Sequence, residues 1–102
     1  MVRWSDPAKM DLKNIFNYIA QDSQYYAKHV VQQIVDKTEA LEAFPKLGRM
    51  IPETNDPKIR EVLMYSYRIL YEVADNDVYI LAIIHGKQDF LNVAQHKLTN
   101  DT

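Results

Sequence analysis

Any chemistry done by this 102-residue chain must come from a short list of side chains. Three histidines, His29, His85 and His96, are the groups whose ordinary pKa suits proton transfer near neutral pH. They are too scattered to suggest a metal site, and no metal is expected. His85 ends an apolar run, Val78–Ile84. There an imidazole could act as acid or base, or sit half-buried against a backbone group. Arg68 has two carboxylates within plausible reach, Glu72 on the same strand face and Glu61 on the preceding strand. Lys87 falls on the turn after the run and is expected to be solvated. No glycine-rich phosphate loop and no nucleophile triad is visible. Cysteine is absent, which excludes disulfides and thiolate metal sites. No cofactor is expected.

The elements that must position these residues centre on Lys58–Phe90. Tyr67–Val73 is rich in β-branched and aromatic residues, and Val78–Ile84 is continuously apolar. Ala74-Asp75-Asn76-Asp77 between them is a turn signal, so the two runs are expected to pair as a hairpin. A loop centred on Asp75-Asn76 sets Val73 opposite Val78, Tyr71 opposite Ile80, Ile69 opposite Ala82 and Tyr67 opposite Ile84. Period-two alternation then gives those eight residues one face, suited to the docking of helices. The other face carries Arg68, Leu70 and Glu72 opposite Ile83, Leu81 and Tyr79, with Ser66 opposite His85. Leu70, Tyr79, Leu81 and Ile83 together are too apolar for open water. A partner chain, the protein's own tail or a second core layer is expected to cover them.

In chain order, Val2–Ser5 reads as a short strand, and Asp6-Pro7 as a helix start with Asp6 as the cap. Ala8, Leu12, Ile15, Phe16 and Ile19 form an apolar stripe ending near Gln21. Asp22-Ser23 caps a second helix whose stripe is Ala27, Val30, Val31, Ile34, Thr38 and Leu41. Pro45 stops it after Ala43. The short link forces an antiparallel helical hairpin. Residues 44–57 form a long connector anchored by Phe44, Leu47, Met50 and Ile51. A strand resumes at Lys58–Met64, bends tightly at Tyr65-Ser66 and enters the hairpin. Phe90, Ala94 and Leu98 suggest a short terminal helix. The seven tyrosines read as rims of the core, with Tyr25 and Tyr26 able either to staple the hairpin or to touch a partner. The expected fold is a single α+β domain over residues 1–102. An N-terminal strand and helical hairpin pack on one face of a mainly antiparallel sheet, in the order β-α-α-β-β-β, with a short C-terminal helix.

Composition narrows the partners. Twelve basic and fourteen acidic residues give a net charge of −2, the wrong sign for gripping nucleic acid through an overall field. The start of the chain has no signal-peptide pattern, and no apolar run approaches the ~20 residues of a membrane helix. A soluble cytoplasmic protein with no membrane partner is expected.

Several segments, in order, resemble the RelE/ParE superfamily of bacterial toxins from type II toxin–antitoxin systems. They are Trp4-Ser5-x-x-Ala8-x-x-Asp11-Leu12-x-x-Ile15-x-x-Tyr18-Ile19, Phe44-Pro45-x-x-Gly48-Arg49-x-x-Pro52-Glu53, Ile59-Arg60-Glu61, Tyr67–Val73 and His85–Phe90. RelE-like relatives cleave messenger RNA on the ribosome without a metal. They use basic residues before the Tyr-Arg pair, that arginine, and basic and tyrosine residues after the last strand. Here Arg68 matches, but Ile59 and Glu61 stand where lysines are wanted, Gln88 where an arginine would help and Ala94 near a tyrosine position. The tail, His85 followed by Asp89-Phe90, resembles ParE-like members, which poison DNA gyrase rather than act as enzymes. The resemblance therefore implies a growth-inhibiting, plasmid-stabilising toxin directed at gyrase and neutralised by a cognate antitoxin. It implies target contacts at Arg68, His85, Lys87, Asp89 and Phe90. The expected antitoxin surface is Leu70, Tyr79, Leu81 and Ile83. The alternative is a ribosome-dependent endoribonuclease, with Arg60, Arg68 and Lys87 as cations on the scissile phosphate and His85 as acid or base. A third reading is an inactive member that only binds antitoxin.

Overall fold

The computed structural model describes residues 1–85. The expected terminal helix, and with it Lys87, Asp89 and Phe90, lies outside them.

Strand β1 (Val2–Trp4) leads into helix α1 (Asp6–Ala20), and α2 (Gln24–Ala43) runs back against it. The cap of α1 is Ser5, not Asp6. Its side-chain oxygen accepts the Ala8 amide at 3.1 Å, and its hydroxyl donates to the Leu81 carbonyl at 3.0 Å. One residue thus starts the helix and ties it to the sheet, while Asp6 keeps a favourable place in the first turn. Ser23 caps α2 in the same manner, accepting from the Tyr26 amide.

The connector contains a strand that its sequence did not suggest. Arg49–Met50 (β2) pairs with β3 (Ile59–Met64), which pairs with β4 (Tyr67–Ala74) and then β5 (Asp77–His85). The sheet order is β1-β5-β4-β3-β2, with β1 parallel to β5 and all other neighbours antiparallel. Asp75 and Asn76 take φ of 52° and 69°, both positive, as a two-residue type I′ hairpin turn requires. The expected turn is therefore present, and Val73 opposes Val78 and Tyr71 opposes Ile80.

Beyond that point the register shifts. Leu70 opposes Ala82, Ile69 opposes Ile83, Arg68 opposes Ile84 and Tyr67 opposes His85, leaving Leu81 as the extra residue of a bulge. Everything after Leu81 consequently turns over. Ile83 packs under the helices with Val30, Ile34, Leu41, Ile69, Tyr71 and Ile80. Ala82 and Ile84 join Leu70, Leu81, Ile51 and Ile59 on the opposite face. The expected placement of Ala82 and Ile84 under the helices, and of Ile83 away from them, is corrected by this one bulge. The bulge sits where β1 ends. Past the last β1–β5 pair, Trp4 with Ile80, the side chains of Ser5 and Asp11 take over as partners of β5. Asp11 accepts the Ile83 amide at 2.9 Å.

Candidate functional site

The segments that carried the family resemblance meet on the structure as two framework clusters and one cleft. The first cluster fastens the connector to the sheet. Tyr71 donates its hydroxyl proton to the Pro45 carbonyl at 2.7 Å and accepts the Gly48 amide at 2.8 Å. Arg60 donates to the Gly48 carbonyl at 2.9 Å. A Cβ on Gly48 would collide with the Glu61 carbonyl oxygen and lie 2.6 Å from the Tyr71 hydroxyl. Only glycine lets the backbone come this close. Burial pushes the Tyr71 phenol above its ordinary pKa, partly offset by the Gly48 hydrogen bond and by Arg60.

The second cluster lies on the other face of the sheet. The Glu61 carboxylate is fully buried and takes a guanidinium on each oxygen. Arg49 Nε donates to Oε1 at 2.7 Å, and Arg68 Nε donates to Oε2 at 2.6 Å. Glu53 stands 4.0 Å from Arg68. Arg68 therefore pairs with Glu61 across the strand. Of the two partners the sequence offered, the one on the neighbouring strand wins. Two charge-assisted hydrogen-bond pairs satisfy a carboxylate that could not otherwise be buried.

His85 occupies neither cluster. The bulge moves it from the Arg68 face to the helix face, opposite Tyr67, whose ring it meets edge-on at 5.5 Å between centroids. Its Nε2 lies 3.3 Å from the Ser66 hydroxyl. Here the end of β5, the start of β4 and α1 enclose an open cleft of about 490 Å³, lined by Asp11, Asn14, Tyr18, Tyr67, Ile83 and His85 among others. Burial raises the Tyr67 pKa, as do the nearby Tyr18 and Tyr26 phenols. The tyrosines are not uniformly core rims: Tyr18, Tyr25, Tyr26 and Tyr65 are exposed. The cleft had a readable signal in α1, where Asp11, Asn14 and Tyr18 recur at three- and four-residue spacing beside the Ala8–Ile15 stripe.

Of the expected nuclease set, the described members Arg60, Arg68 and His85 do not converge. Arg68 points away from the helices, whereas Arg60 and His85 belong to the helix-side rows of Tyr71 and Tyr67. Those rows are four residues apart on β4, about 13 Å along the strand. The expected antitoxin surface is also divided. Leu70, Leu81 and Ile83 are all buried, Ile83 on the wrong face, and Tyr79 is half-buried. Part of the cover is internal, since Ile51 of the connector and Ile59 pack against Leu70, Leu81 and Ile84. Among the described residues a cavity of about 740 Å³ stays accessible beside β1, where Trp4, Glu72, Tyr79 and Leu81 meet. Among the described residues no group of histidine and acidic side chains could hold a metal ion, and no helix is long and apolar enough to cross a membrane.

A strand, a helical hairpin and a latched antiparallel sheet define a RelE/ParE-type α+β domain. The family model described as "ParE toxin of type II toxin-antitoxin system, parDE" matches residues 2–90, and the chain belongs to that family. Solved structures agree on the fold. A chain of the chromosomal ParDE toxin–antitoxin system of P. aeruginosa is 23% identical, with TM-score 0.69, covering 82% of this chain and 92% of that one. A chain of the RelBE2 toxin–antitoxin complex of Mycobacterium tuberculosis is 20% identical, with TM-score 0.64 and coverages of 83% and 95%. A doubly substituted RelE toxin of E. coli in the free state is 14% identical, with TM-score 0.68 and coverages of 100% and 97%. No curated protein matches the chain.

Proposed function

We propose that this toxin acts by binding DNA gyrase and trapping its cleaved complex, and that a cognate antitoxin neutralises it. The observation that carries the reading is the separation of Arg60, Arg68 and His85. General acid–base cleavage of a phosphodiester needs its cations and proton carrier around one phosphate. Here one guanidinium is committed to a buried carboxylate on one face, and the imidazole lies on the other. The net charge of −2 favours a protein target over RNA as well. The target surface includes His85, Lys87, Asp89 and Phe90, with Arg68 holding its framework. The open cavity at Tyr79 and the edge of Leu81, beside Trp4, supports an antitoxin contact on this face. Leu70 supports that face as core, whereas Ile83 packs under the helices on the other face. The likeness to chains from the ParDE and RelBE2 systems supports a protein antitoxin as partner.

Purified protein is to be incubated with gyrase and relaxed plasmid, and in parallel with ribosomes and a reporter message. Lost supercoiling, accumulation of gyrase-cleaved DNA and an intact message are expected. Cut message with normal supercoiling would overturn the reading in favour of the ribonuclease.

A further inference from the structure

We propose that the outer edge of β1 takes an added strand, an extended segment of the antitoxin that pairs with Val2 and Trp4 and sets a side chain into the cavity at Tyr79. The inference rests on the reading that the antitoxin meets this face. In the sheet order β1 is an outermost strand. Its parallel pairing with β5 fixes which backbone groups point where. The Met1 carbonyl accepts the Val78 amide, and the Ser5 amide donates to the Ile80 carbonyl, so Met1, Arg3 and Ser5 bond inward to β5. Alternation then turns the N–H and C=O of Val2 and Trp4 outward, where they meet no partner among the described residues. Each of these residues offers one donor and one acceptor, and the set repeats about 6.6 Å along the strand. The backbone of another extended polypeptide matches that spacing, whereas the groups of a helix are already bonded internally.

The edge is also held in place and left open. Val2 and Trp4 pack their side chains against the helix-side core. Arg3, the charge that would guard the edge, leans onto β5, with its Nε 3.6 Å from Asp77. On the other face, the cavity of about 740 Å³ opens beside Arg3, Tyr79 and Leu81. In an antiparallel addition the residue opposite Arg3 lies on that face, and its two neighbours exchange hydrogen bonds with Val2 and Trp4. Backbone pairing thus supplies attachment, and the side chain in the cavity supplies selection. At the opposite edge β2 is only two residues long and offers no such repeat.

The test uses the full chain with the capped pentapeptide Ac-Thr-Thr-Leu-Thr-Thr-NH2, its copy N-methylated at every amide, and the same peptide with glycine in place of leucine. The backbone amides of Val2 and Trp4 are followed by NMR, in chemical shift and in exchange with solvent. Saturable shifts and slowed exchange are expected with the leucine peptide, a weaker response with glycine, and none with the N-methylated copy. Val2→Pro removes an outward donor and keeps the inward bonds, a change that edge strands tolerate. It should weaken binding at least about fivefold, and Val2→Ala less than about twofold, because only the proline ring removes the donor and blocks the approaching carbonyl. Equal binding of the N-methylated copy, or no response at Val2 and Trp4, would overturn the edge pairing. Binding that ignores Val2→Pro but is lost in Tyr79→Ala would overturn the edge pairing and leave the antitoxin face standing; binding that ignores both would overturn both. Self-association of the chain in sedimentation, abolished by Val2→Pro, would make a second copy the occupant and overturn the assignment to the antitoxin.

Discussion

Replacing Glu61 by glutamine keeps the volume and removes the charge that two arginines share. The side chain is fully buried, and Arg68 beside it is only 17% exposed, so Arg68 cannot simply turn to solvent. Another acid among the described residues, Glu53, is 4.0 Å away and partly exposed. Breaking a buried pair by removing one partner costs about 3–5 kcal/mol, most of it from the uncompensated charge left behind. Arg49 adds little, because its side chain is 68% exposed and such contacts contribute roughly 0.2–1 kcal/mol. The expected loss is therefore about 3–4 kcal/mol, a large share of the 5–15 kcal/mol typical of a domain. With a urea slope of about 1–3 kcal/mol/M, the midpoint should fall by at least about 1 M. Equilibrium urea unfolding followed by circular dichroism measures this directly. The double variant Glu61→Leu with Arg68→Met should recover most of the loss, since an apolar pair needs no ion pairing. A cost below about 1 kcal/mol for Glu61→Gln would refute the reasoning, showing that Arg68 finds water or Glu53 without penalty.

Gly48→Ala should destabilise by about 2–4 kcal/mol, because its Cβ meets the Glu61 carbonyl and the Tyr71 hydroxyl and dislodges the connector; thermal unfolding beside the conservative Tyr71→Phe separates crowding from the lost hydrogen bond. The folded-state pKa of Tyr71 is raised above its ordinary 10.0, so its contribution is complete below pH 10 and is lost as pH rises through the folded value. Ultraviolet titration should show this phenol ionising late, together with loss of protection at the Gly48 amide; ionisation with the connector still latched would count against the assignment. Ile83→Ala should cost about 2–4 kcal/mol and Leu63→Ala less than about 0.5, since Ile83 is 4% exposed in the helix-side core and Leu63 is 58% exposed. Equal costs in denaturant unfolding would contradict the burial of Ile83 in the helix-side core.

Local pattern decided much of this protein before any tertiary contact formed. The stripes of α1 and α2 are set by helical spacing, their ends by Ser23 and Pro45, and the hairpin by Asp75-Asn76, whose side chains tolerate positive φ. Those signals involve residues within a few positions of one another, which is why they can be read along the chain. Three matters needed the folded molecule. The bulge at Leu81 arises because β1 stops at Trp4 and side chains of Ser5 and Asp11, more than seventy residues away, take over the edge of β5. No alternation pattern records where a neighbouring strand ends, and a one-residue slip exchanges the faces of Ala82, Ile83, Ile84 and His85. The pairing of Arg68 was open in sequence between Glu61 and Glu72. Burial of Glu61 decided it, since an enclosed carboxylate must find its cations nearby. Strand β2 is two residues long, below any periodic signal, and exists because Tyr71 and Gly48 draw the connector onto β3. The segments that carried the family resemblance contain the residues of these clusters. Only their positions on opposite faces of the sheet showed that the arginine and the histidine do not share a site.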